Sequence, residues 1–462
     1  MDIHSDKDVI IAPITSTFGG SVSMIRISGE KAVEICAPFF SPAEIRYSEG
    51  GRFYHGQITD EEKKPVDDVV LFVYRAPKSF TGEDVVEISC HANPIIIQDL
   101  LQLFQRNGCR MAQPGEFSKR AFLNGKMDLT QAEAIADLIS AKSRFSIWNS
   151  LSMIEGSLSK KLKQIRSDLI DLAGLMELDL DFGEEDLEVI SSDDVLKRVG
   201  DIIQKISQLI NSYDLGKVLK RGIEVLITGR PNVGKSSLMN AFLGRDRVIV
   251  SQIPGTTRDV IHEDVMVEDV LIRFIDTAGI RMTEDVVESA GVEKAMTLFE
   301  EAAVILLVLD LSAEPSIEDK NLIKTLSSVY HRKVIVVGNK ADLPRETSTE
   351  QLMNVLKYES IPVSAKTGQN IEQLKHLIRK KIYQGIQDAP EDIIITNERQ
   401  YKELVKAKDS LKRVYEAAGT NPGNEFLAVD IREAVNHIGE ISGEITTDDI
   451  LNNIFSRFCI GK

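Results

Sequence analysis

Two periodicities of apolar and polar positions divide the chain. Over roughly the first 125 residues, short apolar runs alternate with glycine turns. Ser23–Ser28 closed by Gly29, Asp68–Tyr74 and Asp84–Ser89 predict strands, and residues 94–106 predict a helix, the pattern of a compact α+β unit. From 127 to 213 the spacing becomes helical. Leu162, Ile165, Leu169, Leu172 and Met176 share one face, and Val195, Val199, Ile202, Ile206 and Leu209 follow a 4-3-4-3 spacing, as core stripes of a helix bundle do. Apolar runs at 223–228, 271–275, 304–310 and 334–338 then alternate with helix-length segments, predicting a mostly parallel, doubly wound sheet. Helical spacing returns after 385, with Leu404, Ala407, Leu411 and Val414, then Phe426, Val429 and Val435. The predicted architecture is multidomain: an α+β domain at 1–126, an all-α helical bundle made of 127–222 and 386–462, and an α/β domain at 223–385 inserted into that bundle. Insertion requires the ends of the insert to lie close together, which α/β domains satisfy.

Composition narrows the class. A chain of 462 residues exceeds a single core, and 43% hydrophobic with 27% charged residues is a globular rather than a disordered balance. The net charge of −16 argues against a surface built for tight electrostatic contact with nucleic acid. An RNA substrate would need a local basic patch or phosphate contacts from a partner. Cys36, Cys90, Cys109 and Cys459 form no CxxC pair, which argues against a zinc site or a disulfide framework. Three of them read as small hydrophobes, whereas Cys459 sits in the terminal Phe458-Cys459-Ile460-Gly461-Lys462. No run of eighteen apolar residues suggests a membrane span. The N-terminal Met1-Asp2-Ile3-His4 lacks the basic-then-apolar pattern of a signal peptide, so a cytoplasmic location is expected.

The candidate chemistry begins at Gly229. Gly229-Arg230-Pro231-Asn232-Val233-Gly234-Lys235-Ser236 matches a phosphate-binding P-loop, follows a predicted strand, and opens a helix through Ser237. Glycines let backbone N–H groups approach phosphates, and the helix N-terminus adds a favourable field. Lys235 is expected on the β- and γ-phosphates and the Ser236 hydroxyl on Mg²⁺. Asp276-Thr277-Ala278-Gly279 lies at a strand end, where Asp276 can hold Mg²⁺ through water and the Gly279 N–H can sense the γ-phosphate. Asn339-Lys340-Ala341-Asp342 ends another strand, and a carboxylate at Asp342 accepting two bonds from a guanine edge would select GTP over ATP. Ser364-Ala365-Lys366 adds a backbone contact to the base, and Gly255-Thr256-Thr257-Arg258-Asp259 places Thr257 as second Mg²⁺ ligand. All five motifs in order predict a Ras-like G domain. The position after Asp-x-x-Gly, where small regulatory GTPases carry a water-orienting glutamine, is Ile280, so another group must orient water. The segment 281–288 offers several carboxylates, and the residues alone leave the choice among them open.

Other segments extend the pattern: Met-Ile-Arg-Ile-Ser-Gly at 24–29, Ser-Phe-Thr-Gly-Glu-Asp at 79–84, Arg-Met-Ala-Gln-Pro-Gly-Glu-Phe-Ser-Lys-Arg-Ala-Phe-Leu-Asn-Gly-Lys at 110–126, Gln-Ala-Glu-Ala-Ile-Ala-Asp-Leu-Ile at 131–139, and the terminal Phe-Cys-Ile-Gly-Lys. Together with the G-domain motifs they resemble the tRNA modification GTPase MnmE (TrmE) family over essentially the whole chain. The resemblance implies a homodimer that works with an FAD-dependent MnmG-type partner as a heterotetramer. The pair would place an aminomethyl-type group on C5 of the wobble uridine of certain tRNAs. It also implies a one-carbon unit from a tetrahydrofolate derivative bound by the N-terminal domain, with Arg26, Glu87, Lys126 and Lys462 as contacts. Lysine and arginine suit a glutamate tail, and a carboxylate suits pterin N–H groups. It implies K⁺ dependence as well, with Asn232, Ser251, Ile253 and Thr256 as ligands and Gln252, Pro254 and Gly255 in the same nucleotide-facing loop. G domains would pair across the nucleotides. Glu288, in its Val-Glu-x-x-Gly context, would be the water-positioning carboxylate in place of Glu284. A nucleophilic role for Cys459 stands beside a packed or substrate-adjacent thiol. One departure is Ser16-Thr17-Phe18-Gly19-Gly20-Ser21, where the family usually has a Pro-Gly-rich stretch. No GxGxxG follows a strand, so redox chemistry is expected in the partner. The rival readings are a switch GTPase and a folate-dependent transferase acting alone.

Overall fold

The computed structural model describes residues 8–15, 20–41, 43–182, 190–246, 262–267, 270–276, 298–300, 302–330, 333–356, 358–384, 393–418, 424–456 and 458–461. Two compact units form: Met1–Ala136 with Met153–Val199 and Asp409–Lys462, and Asp137–Ser152 with Gly200–Lys408.

In the first unit a seven-stranded sheet has the order β3-β4-β5-β6-β2-β1-β7. Its strands are β1 Val9–Pro13, β2 Val22–Ser28, β3 Phe40–Ser41, β4 Arg52–Thr59, β5 Pro65–Tyr74, β6 Val85–His91 and β7 Cys109–Met111. All pairs are antiparallel except β1 with β7. Alternation decides the faces. Ile25, Ile27, Leu71, Val73, Val86 and Ile88 turn to one side, where Ile97, Leu100, Leu103 and Phe104 of the helix Pro94–Arg106 cover them. That helix starts where predicted because Asn93 Oδ1 accepts from the Ile95 N–H and Pro94 occupies the first turn. On the other side Ile10 and Ala12 pack against Ala112 and Phe117. Farther along that side Phe53 is 72% exposed and pairs with Phe72 at 6.4 Å.

The helical part of this unit buries the predicted stripe of Leu162, Ile165, Leu169, Leu172 and Met176. One expectation fails. Phe426 and Val429 are exposed, and the buried stripe of the helix Asn424–Ser442 is Leu427, Ile431, Ala434, Ile438 and Ile441. That series keeps helical period along the whole element, whereas 426 and 429 do not continue. Leu129, Ala132, Leu451, Ile454, Phe455 and Phe458 form a smaller core, which brings the C-terminal segment onto the helix Leu129–Ser140.

In the second unit a six-stranded sheet has the order β13-β12-β11-β8-β10-β9. The strands are β8 Ile223–Thr228, β9 His262–Val267, β10 Val270–Asp276, β11 Val304–Asp310, β12 Val334–Asn339 and β13 Glu359–Pro362. Only the β9–β10 pair is antiparallel. β11 and β12 are buried at every position because helices cover both faces. Val304, Leu306 and Val308 meet Leu238, Phe242, Leu374 and Ile378, while Ile305, Leu307 and Leu309 meet Ile323 and Leu326. Among the described residues no helix is long and apolar enough to cross a membrane.

The chain leaves the sheet region through a buried extended strap, Ile393–Ile395. Asn149 Nδ2 donates to Ile394 O at 3.0 Å, the Ile394 N–H donates to Asn149 Oδ1 at 3.2 Å, and the Ile395 N–H donates to Ser212 Oγ at 3.0 Å. The strap lies so close to the helix Ser192–Arg221 that a Cβ on Gly216 would sit 2.0 Å from Ile395 O. Glycine-to-alanine inside a helix ordinarily stabilises by about 1 kcal/mol. Gly216→Ala is expected to reverse that sign and cost about 1–3 kcal/mol through overpacking. Urea unfolding followed by the fluorescence of Trp148, the chain's single tryptophan and a member of the same unit, checks it. The control is Gly244→Ala, in a helix of the same unit, whose added Cβ meets nothing within 4 Å.

Candidate functional site

Among the described residues, the P-loop, Asp276, Asn339–Asp342 and Ser364–Lys366 lie at the C-terminal edge of the β8–β13 sheet, where open α/β sheets bind ligands. The P-loop geometry depends on two glycines. Gly229 has φ +149° with a virtual Cβ 2.4 Å from Val308 O, and Gly234 has φ +95° with one 2.3 Å from Asn339 Nδ2. Any side chain there would push the loop off β11 or displace Asn339. Asn232, between them, adopts a left-handed φ of 64°. Val233, buried, anchors the loop in the core, and Lys235, Ser236 and Ser237 open the helix Lys235–Asp246. Lys235 Nζ donates to Gly229 O at 2.8 Å and Arg230 O at 3.0 Å, folding the ammonium over the loop that phosphates would occupy.

The base-recognition side is tied to the P-loop by one amide. Asn339 Nδ2 donates to Val233 O at 2.8 Å, and Asn339 Oδ1 accepts from the Ala365 N–H at 3.1 Å. Asn339 is 2% exposed, so these bonds fix three segments relative to one another. Ser364 Oγ donates to Asp342 Oδ1 at 2.7 Å, and the Thr367 N–H donates to Ser364 Oγ. The Ser364 bond, with backbone help and the nearby Lys366 charge, holds the Asp342 carboxyl below its usual range. An ionised, oriented acceptor is what two guanine N–H donors require. Asp276 ends β10 in register with Ile227 of β8. Ser251, Gln252, Ile253, Pro254, Gly255, Thr256, Thr257, Thr277, Ala278, Gly279, Glu288 and Lys462 lie outside the described residues, as does the stretch 16–19.

Sequence reasoning missed two ion pairs here. Lys340 Nζ lies 2.6 Å from Asp310 Oδ2, and Arg230 Nε lies 3.4 Å from Asp319 Oδ2, in the capping box of the helix Ile317–Val329. Both join residues distant in sequence, and no local pattern announces them.

A second cluster lies in the other unit. The β2–β6 register places Arg26 opposite Glu87, and Arg26 Nε donates to Glu87 Oε1 at 2.8 Å. The guanidinium lies 4.8 Å from the Phe80 ring centre and 5.5 Å from that of Phe117, so its charge is framed by two aromatic faces. Lys126 Nζ instead donates to Pro77 O at 2.9 Å. The C-terminal tail docks on the same unit. The Gly115 N–H donates to Cys459 O at 3.4 Å, and a Cβ on Gly461 would lie 2.4 Å from Pro13 O. Cys459 is exposed, whereas Cys36, Cys90 and Cys109 are buried. Burial raises all three of those thiols, Cys90 to about 11 and Cys109 to about 12, so they stay protonated and inert.

Comparisons with known proteins bear on both clusters. Residues 9–126 match the model of the GTP-binding protein TrmE N-terminus, and residues 129–459 match that of the MnmE helical domain. The tRNA modification GTPase MnmE of Christiangramia forsetii is 40% identical, with 99% of each chain covered. That of Bacteroides thetaiotaomicron is 41% identical, covering 99% of this chain and 100% of its own. The chain belongs to the MnmE family of tRNA modification GTPases. It is a GTP-hydrolysing enzyme. The P-loop and the Asn339–Asp342 cluster carry the G-domain motifs, and the Arg26 cluster with the docked tail is the part that those motifs do not explain.

Proposed function

We propose that this GTPase acts with an FAD-dependent MnmG-type partner to add an aminomethyl or carboxymethylaminomethyl group to C5 of the wobble uridine of certain tRNAs. The one-carbon unit is carried by a tetrahydrofolate derivative held in the Met1–Ala136 part of the first unit. The observation that carries this reading is the meeting, within one unit, of the aromatic-framed Arg26–Glu87 pair and the C-terminal tail seated on Pro13 and Gly115. A charged pair between ring faces suits a ligand with a flat heterocycle and an anionic tail. Arg26, Glu87, Lys126 and Lys462 are the proposed folate contacts, and Cys459 is an exposed thiol beside them in the tail sequence. Exposed Phe53, against the half-buried Phe72 on the open sheet face, supports a homodimer, and the partner would complete a heterotetramer.

In the G domain, Ser236 and Thr257 are the proposed Mg²⁺ ligands. Asn232, Ser251, Ile253 and Thr256 are the proposed K⁺ ligands, and Glu288 positions the attacking water. When bound, K⁺ supplies positive charge beside the phosphates and favours pairing of G domains across the nucleotides. The left-handed backbone of Asn232 supports its assignment, because it sets that residue apart from an ordinary loop position. The expected site of action is the cytoplasm. The test compares GTP turnover in K⁺ and in Na⁺, with and without the flavoprotein. Faster turnover in K⁺ is expected, and equal rates would remove the Asn232 assignment. Normal wobble-uridine modification in cells lacking the protein would overturn the larger reading.

A further inference from the structure

Asp310 closes β11, and the parallel β11–β12 register sets it beside Asn339, the first residue of the Asn-Lys-Ala-Asp motif. The next residue, Lys340, has a left-handed φ of 64°. Its ammonium rests 2.6 Å from Asp310 Oδ2, while Asp310 Oδ1 accepts from the Ser312 N–H at 2.9 Å and from Ser312 Oγ at 2.7 Å. Burial opposes ionisation of Asp310, yet the bonds from Lys340 and Ser312 prevail and hold its carboxyl below the usual value. The Asp310 side chain is 8% exposed and that of Lys340 33%. The lysine head is thus fixed on a buried anion while part of the side chain stays open, two residues before the carboxylate of Asp342.

We propose that Asp310 is a positioning residue for the guanine base: by holding the Lys340 ammonium it keeps the methylene stem extended as an apolar wall for the face of a base whose edge is bound by Asp342. The pairing restrains a flexible four-carbon chain whose freedom would otherwise be lost on binding. Neither group reads the base edge. Asp310 therefore sets affinity for purine nucleotides of the guanine type without choosing among them, a division of labour with Asp342. The alternative sign is equally definite. If nucleotide drew the lysine away from Asp310, the aspartate would compete with the ligand, and its removal would tighten binding.

The inference rests on Asn339–Asp342 being the guanine site, and the experiment separates the two. Full-length protein is titrated with GDP, inosine diphosphate and xanthosine diphosphate. Asp342→Asn is expected to move preference from GDP towards xanthosine diphosphate, because an amide can donate to the C2 carbonyl of xanthine. No such move would unseat the site itself. Asp310→Asn is expected to weaken GDP and inosine diphosphate by the same factor, about tenfold, as loss of a charge-assisted bond suggests. In a Lys340→Met background, which keeps the apolar stem, Asp310→Asn should have no further effect. A purely structural aspartate would cost the same affinity with or without the lysine ammonium. GDP binding by Asp310→Asn as tight as wild type or tighter, or a loss that persists in Lys340→Met, overturns the proposal. Should Asp310→Asn not fold, Lys340→Met alone decides: GDP affinity equal to wild type refutes it, and a loss of about tenfold supports it.

Discussion

Lys235→Ala is expected to lower the rate of GTP hydrolysis by at least about a hundredfold, the cost typical of removing one preorganised group that faces transition-state charge. The geometry of the loop explains the size. Lys235 Nζ is bound to two neutral carbonyls of its own loop, Gly229 O and Arg230 O. Arriving phosphates would exchange those acceptors for anionic oxygens, and bonds between ionised partners are roughly twice as strong as neutral ones. The cost of ordering the lysine has already been met by the folded loop, so the exchange favours the transferring phosphoryl group. The loop should survive the substitution, since Gly229, Gly234 and the Asn339–Val233 bond define its path independently of the lysine. Single-turnover hydrolysis at saturating GTP, alongside a nucleotide-free melting curve, is the measurement. A rate within threefold of wild type would sink the assignment.

What could be read from the amino-acid order depended on how local the physical cause was. β8, β11 and β12 announce themselves because helices on both faces demand continuous apolar runs. The neighbouring edge strands β9 and β13 escape notice because His262-Glu263-Asp264 and Glu359-Ser360 carry the polar residues that edges tolerate. β4 is hidden for a similar reason: one of its faces is open, so His55 and Gln57 interrupt the apolar pattern. At the site, the P-loop and Asn339–Asp342 were legible because each meets a backbone demand within a few residues. Lys340 and Asp310 stand 30 residues apart and meet only through parallel register, which no local pattern encodes. Arg26 and Glu87 lie 61 apart, and family resemblance pointed to them where spacing could not. Phe80 and Phe117, which frame that pair, became visible only in three dimensions.

The least legible feature carries the largest expected stability effect. Arg120 is 3% exposed and joins three segments of the first unit, its own helix included. Its Nη1 donates to Asp8 O at 2.8 Å and to both Glu83 oxygens, and its Nη2 donates to Glu116 Oε1 at 3.0 Å. Arg110 also reaches Glu116 at 2.7 Å, and Ser28 Oγ reaches Glu83 at 2.7 Å. Arg120→Met preserves much of the volume but leaves two mostly buried carboxylates short of their shared cation. Breaking one side of such a network costs about 3–5 kcal/mol. Arg413→Met removes an exposed arginine from its pairs with Asp430 and Glu433, and should cost under about 1 kcal/mol. The buried thiols of Cys36, Cys90 and Cys109 all belong to this unit, so their reaction with a thiol reagent along a urea series reports its unfolding. Acid should mimic the substitution. Burial opposes ionisation of Glu116, but bonds from Arg110 and the Gln113 N–H, with the Arg120 charge, hold its carboxyl below the usual 4.5. A carboxylate depressed in the folded state contributes stability above its unfolded value and loses it as pH falls through the folded one. Wild type should therefore weaken below about pH 4.5 more steeply than Arg120→Met, in which part of that depression is gone. Parallel acid curves for the two proteins would show that Arg120 does not hold the Glu116 charge.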